Sequence, residues 1–231
     1  MKRFLRTVVL AASFPALAVA QTSTIVGGGF SSPYAVASYS MLNGASGYYN
    51  YRDYSYQNSL GVVNPNANTD FAWLSGGTGL LTDGIGASLS WDVGFMNPPG
   101  GNQGQFVGWY LEPLVTFYFS QAVRFSNMRV NFDLAYTGDV GPPGPVTVNG
   151  VQYRVTTPVG TSPFWADFDL TGSAATNTEA VQFTRGAPWL MISEVQFVTA
   201  TPEPGSLVLL ATGLLAVLGG ARIRRRDRDV A

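Results

Sequence analysis

The chain has 231 residues, of which 46% are hydrophobic and 12% charged, a composition that suits one folded domain with appended segments. It contains neither Cys nor His, which excludes disulfide bonds, thiolate chemistry, Ser-His-Asp catalysis and His-ligated zinc. Any bound metal must therefore be held by oxygen, which favours calcium or magnesium. Between residues 21 and 201, eleven acidic residues outnumber five arginines, and this negative charge disfavours nucleic acid as a partner.

The first twenty residues have the pattern of a secretory signal peptide. A basic start is followed by an apolar stretch from Thr7 to Leu17 and by small residues at Ala18 and Ala20. We expect cleavage after Ala20, which would leave a mature chain that begins at Gln21 outside the cytoplasm. The alternative is a buried N-terminal helix.

Residues 21–50 mix Gly, Ser and aromatic residues with little periodicity, which indicates an N-terminal arm or an edge strand with loops. Downstream, short apolar or alternating runs are rich in Val, Phe, Tyr, Thr and Ile, and Gly, Pro, Asn and Asp separate them. This pattern predicts an all-β fold, an antiparallel jelly-roll sandwich. The clearest predicted strands lie at 114–120, 125–136, 146–157, 164–170, 180–184 and 190–198.

Two details of these strands make local predictions. Asn149-Gly150 is a typical two-residue turn and predicts a hairpin within 146–157. In the run 128–134, apolar residues alternate with Arg129, Asn131 and Asp133. We therefore expect this strand to have one buried face and one face in water.

Four sequence pieces in residues 51–199 together resemble a galactose-binding-like domain, the jelly-roll family that includes discoidin domains. They are Tyr54-Ser55-Tyr56, Leu81-Thr82-Asp83-Gly84, the apolar strand VTFYFSQAV at 115–123 and the last strand Ile192-Ser193-Glu194-Val195. The resemblance implies a structural calcium held by the loop and the last strand. By position, Asp83 and Glu194 would supply carboxylate oxygens, Ser88 a hydroxyl or carbonyl oxygen, and Ile85 a backbone carbonyl. The alternative is that Asp83 stabilises its own turn and Glu194 is an exposed strand residue.

Sugar binding requires exposed aromatic faces next to polar groups. We expect Trp73 and Tyr110 to provide such a surface, and expect most of the other large aromatic residues to lie in the core. A glycosidase would need two facing carboxylates, for which Asp167 and Asp169 are the best placed pair. No second motif supports such a pair, and we expect no catalytic activity.

The C-terminal segment has three parts. Pro202-Glu203-Pro204 precedes 16 uncharged residues, Ser206 to Ala221, and a basic tail spans 222–228. An apolar helix of this length is marginally able to span a bilayer, which calls for roughly 17 residues or more. The positive-inside bias would keep the arginines cytoplasmic, namely Arg222, Arg224, Arg225 and Arg226 with Arg228. A buried core helix is the alternative interpretation.

Residues 200–231 resemble the PEP-CTERM sorting signal of Gram-negative bacteria, since motif, apolar span and basic cluster occur together. The resemblance implies recognition by an exosortase, transient residence in the inner membrane and processing near Pro202-Glu203-Pro204. It also implies delivery to the cell envelope or the extracellular matrix. Pro202, Glu203 and Pro204 are then recognition residues for another enzyme.

These observations lead to one expectation for function and two alternatives. We expect an exported, sorted and non-catalytic β-sandwich protein that binds a glycan, with exopolysaccharide as the candidate. The first alternative is a structural protein of the biofilm matrix without a glycan pocket. The second is a carboxylate glycosidase.

Overall fold

The computed structural model of the protein describes residues 21–22, 24–25, 34–41, 53–67, 73–95, 105–135 and 139–200. These residues form thirteen strands, one 3-10 helix (Leu80–Thr82) and one short α-helix, α1 (Trp91–Phe95). The strands are β1 (Gln21–Thr22), β2 (Thr24–Ile25), β3 (Ser38–Met41), β4 (Gln57–Asn58), β5 (Leu74–Thr78), β6 (Val107–Trp109), β7 (Leu114–Val123), β8 (Phe125–Phe132), β9 (Pro143–Val148), β10 (Val151–Arg154), β11 (Phe164–Asp169), β12 (Thr176–Arg185) and β13 (Leu190–Thr199).

The strands form two sheets. The large sheet has the order β1-β10-β9-β12-β7-β3-β5-β4, and the small sheet has the order β2-β11-β8-β13-β6. Neighbouring strands are antiparallel, except that β1 runs parallel to β10. The expectation of a mostly β protein with antiparallel sheets is therefore confirmed. The described part of segment 21–50 enters both sheets, and β3 lies between β7 and β5.

An aromatic core joins the inner faces of the two sheets. Val115, Phe117 and Phe119 alternate along β7, so their side chains point to the same side. The ring of Phe197 on β13 lies 5.1 Å from that of Phe117 and 5.2 Å from that of Phe119. Each such ring removes a large apolar area from water, which is the main stabilising contribution to a sandwich of this kind.

The prediction of a water-facing outer side on β8 is wrong. Met128, Val130 and Phe132 point into the core as expected, but Asn131 and Asp133 are each only 1% exposed. Residues 79–95 lie over this outer face and cover Asn131 and Asp133. Alternation correctly separated the two faces of the strand, but it carries no information about what covers the second face.

A buried carboxylate fixes the described range 53–67 to the large sheet. Asp53 is fully buried and accepts hydrogen bonds from the Tyr39 hydroxyl and from the Leu80 backbone N–H at 3.0 Å. Burial raises the pKa of Asp53 to about 6, although these hydrogen bonds oppose the rise. Nearby, the buried Tyr56 donates its hydroxyl to the Tyr39 carbonyl and accepts from Gly77 N–H at 3.0 Å. Tyr56 of the Tyr54-Ser55-Tyr56 motif thus packs in the core, whereas Tyr54 and Ser55 are exposed.

The predicted hairpin connects β9 to β10. Asn149 and Gly150 both have positive φ angles, 47° and 86°, as a type I′ turn requires. The turn is tied to β12, because Asn149 Oδ1 accepts from Ala180 N–H at 2.9 Å and Asn149 Nδ2 donates to Glu179. Glu179 alternates with Val181 and Phe183 and therefore lies among the inward-facing positions.

Glu179 generates a prediction about pH. Burial raises its pKa to about 7, and the Asn149 hydrogen bond opposes this rise. The folded state therefore binds more protons than the unfolded state between about pH 4.5 and 7, so stability falls as pH rises through that window. Between pH 5 and pH 8, we expect the free energy of unfolding to fall less in Glu179→Gln than in the parent. The difference between the two falls should be on the order of 1–3 kcal/mol. Urea unfolding of residues 21–201 at both pH values measures this difference.

The matched control is Asp169→Asn, which changes an exposed carboxyl on β11. Asp53 and Asp167, whose pKa values burial raises to about 6, and Glu194, whose pKa it raises to about 8, leave the Gln variant with some pH dependence. A Gln variant with the same pH dependence as the parent would contradict the prediction.

Candidate functional site

The crossing segment, residues 79–95, follows β5 and lies over the outer face of the small sheet. Three of its backbone N–H groups donate to side chains of that sheet. Gly84 donates to both Glu194 carboxylate oxygens at 3.2 Å, Ala87 to Ser193 Oγ at 3.0 Å, and Trp91 to Asp133 Oδ2 at 3.1 Å. Polar strand residues thus replace water as partners for the backbone of the segment.

The local sequence explains the path of the segment. Asp83 Oδ1 accepts from Ile85 N–H at 2.8 Å, which is an Asx-type turn, and Gly84 has a φ of 85°. Gly86 lies against the outer face of the sheet, where a Cβ atom would stand 2.4 Å from Trp165 Cζ2. A residue with a side chain at position 86 would push the segment away from the sheet.

A β-bulge in β13 orients the side chains that bind the crossing segment. The register between β13 and β8 shifts between Ile192 and Glu194. A bulge places two residues opposite one and redirects a side chain. Here Ser193 and Glu194 both contact the crossing segment, and Ser193 Oγ also donates to Asn131 Oδ1 at 2.6 Å. Sequence reasoning missed Ser193 and Asn131, because simple alternation would have pointed Ser193 and Glu194 to opposite faces.

The carboxyl groups of Asp83 and Glu194 come close at this point, because Gly84, the next residue after Asp83, donates to the Glu194 carboxylate. Glu194 is only 2% exposed. Burial raises its pKa to about 8, with repulsion from Asp83 as a further cause, and burial also raises the pKa of Asp83. Two adjacent carboxyl groups are stable when they share a proton or when a cation lies between them. The pair therefore has the chemistry of a cation site.

The two other predicted ligands lie on the same segment. The side chains of Ile85 and Ser88 are exposed, and their contribution would come from carbonyl or hydroxyl oxygens. Within the described residues, no group of three or more acidic side chains is arranged to hold a metal. The two carboxylates offer at most four of the six to eight oxygens that calcium takes, so backbone oxygens and water would complete the shell.

The two predicted aromatic surface residues lie at one end of the sandwich, here called the aromatic end. Trp73 is 67% exposed and directly precedes β5, and Tyr110 is 48% exposed and directly follows β6. Tyr110 lies on the β6–β7 connection, near the start of β7. Val115 at the start of β7 pairs with Met41 of β3, which in turn pairs with Leu74 of β5, so Trp73 lies at the same end. The Tyr110 ring contacts Trp189 at 5.6 Å, and the Arg185 guanidinium lies 4.9 Å above it. Sequence reasoning missed these two neighbours of Tyr110.

The proposed carboxylate pair of a glycosidase has two unlike members. Asp167 is buried beside Arg129, at 4.0 Å between the carboxylate oxygen and Nε, whereas Asp169 is exposed and accepts from Thr171 N–H at 2.8 Å. Burial raises the pKa of Asp167 to about 6, and the charge of Arg129 opposes this rise. The Arg129 guanidinium in turn lies 4.2 Å from the Trp165 ring centre. Asp167 therefore belongs to a packed group on the sheet.

A cleft of about 720 Å³ opens at the end of the sandwich opposite the aromatic end. It lies where β13 finishes, and its lining includes Tyr34, Arg124, Phe125, Thr171, Thr199 and Ala200. Ala200, the last described residue, lies at this end. Among the described residues, no helix is long and apolar enough to cross a membrane, and the predicted signal peptide, 1–20, and apolar helix, 206–221, lie outside them.

A family model matches the C-terminal part of the chain. The PEP-CTERM protein-sorting motif matches residues 200–226, which include Pro202, Glu203, Pro204 and four of the C-terminal arginines. No curated protein matches the chain. The match begins immediately after β13, so the sandwich and the sorting motif are contiguous. It indicates export and sorting to the cell envelope of a Gram-negative bacterium, with an exosortase as the processing enzyme.

Proposed function

We propose that the protein is an exported, non-catalytic β-sandwich protein that an exosortase processes. The match at residues 200–226 carries this proposal. The signal-like N-terminus supports it, because a secretory signal at residues 1–20 would deliver the mature chain to the outer side of the inner membrane. The apolar run 206–221 would hold the chain in that membrane until the sorting enzyme acts.

Processing generates a direct test. Glu203→Ala should abolish loss of the tail in an exosortase-containing Gram-negative host, because the motif would lose its charged recognition residue. Immunoblotting of membrane and medium fractions reports the size and location of the protein and therefore measures this loss. The control is Glu112→Ala, an exposed Glu on the β6–β7 connection. Processing of the Glu203 variant at the parental rate would contradict the proposal.

We propose further that the sandwich is a galactose-binding-like jelly roll with a structural calcium site. The hydrogen bonds from Gly84 N–H to the Glu194 carboxylate support this, because they join the two sequence pieces that carry the resemblance although 110 residues separate them. The donor set fits a hard cation, since the residues concerned offer only oxygen ligands. Bound calcium would neutralise the two carboxylates. Glu194 would then hold the turn at Gly84 to β13, and Ser193 would hold Ala87.

Calcium binding should raise the melting temperature of residues 21–201. A ligand at 100 times its Kd stabilises the folded state by about 2.7 kcal/mol, or several degrees for a domain of this size. EDTA should reverse the rise. Asp83→Asn and Glu194→Gln should remove it, since each keeps the shape of the side chain, whereas Asp169→Asn should retain it. A cooperative melt that calcium does not shift would contradict the calcium site.

We also propose that the aromatic end binds the exopolysaccharide of the producing cell. Trp73 and Tyr110 support this proposal, because exposed rings stack on sugar faces while Arg185 offers donors beside the Tyr110 ring. A protein of the matrix without a glycan pocket is the alternative. That alternative would leave the aromatic end without a ligand.

Affinity electrophoresis through gels that contain the exopolysaccharide separates these two functions. We expect Trp73→Ala and Tyr110→Ala to weaken retardation of residues 21–201 by about tenfold each, equivalent to about 1.4 kcal/mol. Tyr118→Ala is the matched control, because Tyr118 is similarly exposed on the face of β7. Absence of retardation in the parent would favour the structural alternative.

A further inference from the structure

The sorting motif begins without a linker after the folded domain. Ala200 N–H donates to the Arg124 carbonyl at 2.9 Å, and the matched motif starts at this same residue. Thr201 alone separates Ala200 from Pro202. An extended residue spans about 3.3–3.6 Å, so Thr201 and Pro202 together reach about 7 Å beyond the sheet.

This distance is short for a processing enzyme. Such an enzyme positions the reacting peptide bond by holding several residues on each side of it in its own groove. The two packed sheets of the substrate are about 10 Å apart and cannot enter a groove built for one extended chain. The residues on the N-terminal side of Pro202-Glu203-Pro204 must therefore come from the end of β13.

The end of β13 is held less firmly than its centre. Phe197 is fully buried, and its carbonyl accepts from Tyr34 N–H at 2.8 Å. Beyond it, Val198, Thr199 and Ala200 are all half-buried. The register to β8 shifts between Val198 and Thr199, and one hydroxyl, Ser126 Oγ, bonds both of their carbonyls at 3.3 and 3.2 Å.

The surroundings also favour local opening at this end. The cleft of about 720 Å³ adjoins Arg124, Thr199 and Ala200, so the strand end has open space beside it. Beyond Phe197, the pairings of β13 among the described residues are with β8 on one side. Half-buried terminal residues that are paired on one side open at a small fraction of the global unfolding free energy. Phe197 marks the boundary, because removing its ring from the core would cost far more.

We propose that the substrate segment of the sorting reaction extends into the fold and comprises Val198, Thr199 and Ala200 together with the motif. These three residues leave β8 and enter the enzyme, while Phe197 remains in the core. The strand end is then both a structural element before processing and a binding element during it. This inference rests on the proposed exosortase processing.

An engineered disulfide, here called the staple, tests the inference in the full chain because it can be reduced. The chain has no Cys, so Arg124→Cys with Ala200→Cys introduces its only two thiols. Adjacent antiparallel residues have Cα atoms about 4.5–5.5 Å apart, which suits a disulfide. Mass spectrometry measures tail removal in vesicles that contain an exosortase. The rate should be at least tenfold lower for the oxidised variant than for the parent. Reduction should restore the parental rate.

A spacer distinguishes opening of the strand from other effects of the staple. A flexible spacer of six residues, Gly and Ser, inserted between Ala200 and Thr201 should restore fast tail removal to the oxidised variant. The same spacer should accelerate tail removal in the parent. The matched control is a staple on β9 and β10, Thr147→Cys with Gln152→Cys, which are paired residues far from the junction along the chain. This control should be processed at the parental rate in both redox states.

Several outcomes would overturn the inference. Parental-rate processing of the oxidised Arg124–Ala200 staple would show that the strand end stays paired. Failure of the spacer to rescue the stapled chain would show that the enzyme needs contact with the folded end itself. If the staple does not form, a spacer that fails to accelerate the parent overturns the inference. A parent whose processing does not depend on Glu203 would instead refute the proposed function.

Discussion

The structure depends on the burial of β13 on both of its faces. Ile192, Val195 and Phe197 fill the space between the sheets, and Ser193 and Glu194 lie under the crossing segment. A strand buried on both faces can carry polar side chains only where each finds a partner. The bulge at Ser193 and Glu194 meets this requirement, because it directs two polar side chains toward the backbone N–H groups of residues 84 and 87.

The same requirement explains the chemistry of the outer face of the small sheet. Asn131, Asp133 and Arg129 each lie near a polar or aromatic partner rather than water. Burial raises the pKa of Asp133 and of Glu194, and their hydrogen bonds limit the rise. A cation at the Asp83–Glu194 pair would lower the free energy of this covered layer, because it would compensate the charge that burial disfavours. Bound calcium and the hydrogen bonds from the crossing segment would thus both offset the cost of burying polar groups on this face.

The two ends of the sandwich have different roles in the proposals. Strands β5, β6 and β7 bring Trp73 and Tyr110 to the aromatic end, while the sorting motif follows the opposite end of β13. An enzyme at the membrane would contact the end with Ala200, and the aromatic end would point away from it. A glycan could then bind before the tail is removed. In the proposed processing reaction, the absence of a linker at Ala200 would give the last strand a part in both folding and sorting.

The sequence by itself determined the class of the fold, the approximate positions of β7 to β13, the Asn149-Gly150 hairpin and the sorting motif. Each of these depends on residues close together in the chain, through alternation, turn chemistry or a contiguous tripartite segment. Only the tertiary structure decided that Asn131 and Asp133 are covered, that Ser193 and Glu194 share one face, and that Arg185 and Trp189 adjoin Tyr110. These features depend on contacts between distant segments and on a one-residue bulge, and neither leaves a periodic signal in the amino-acid sequence.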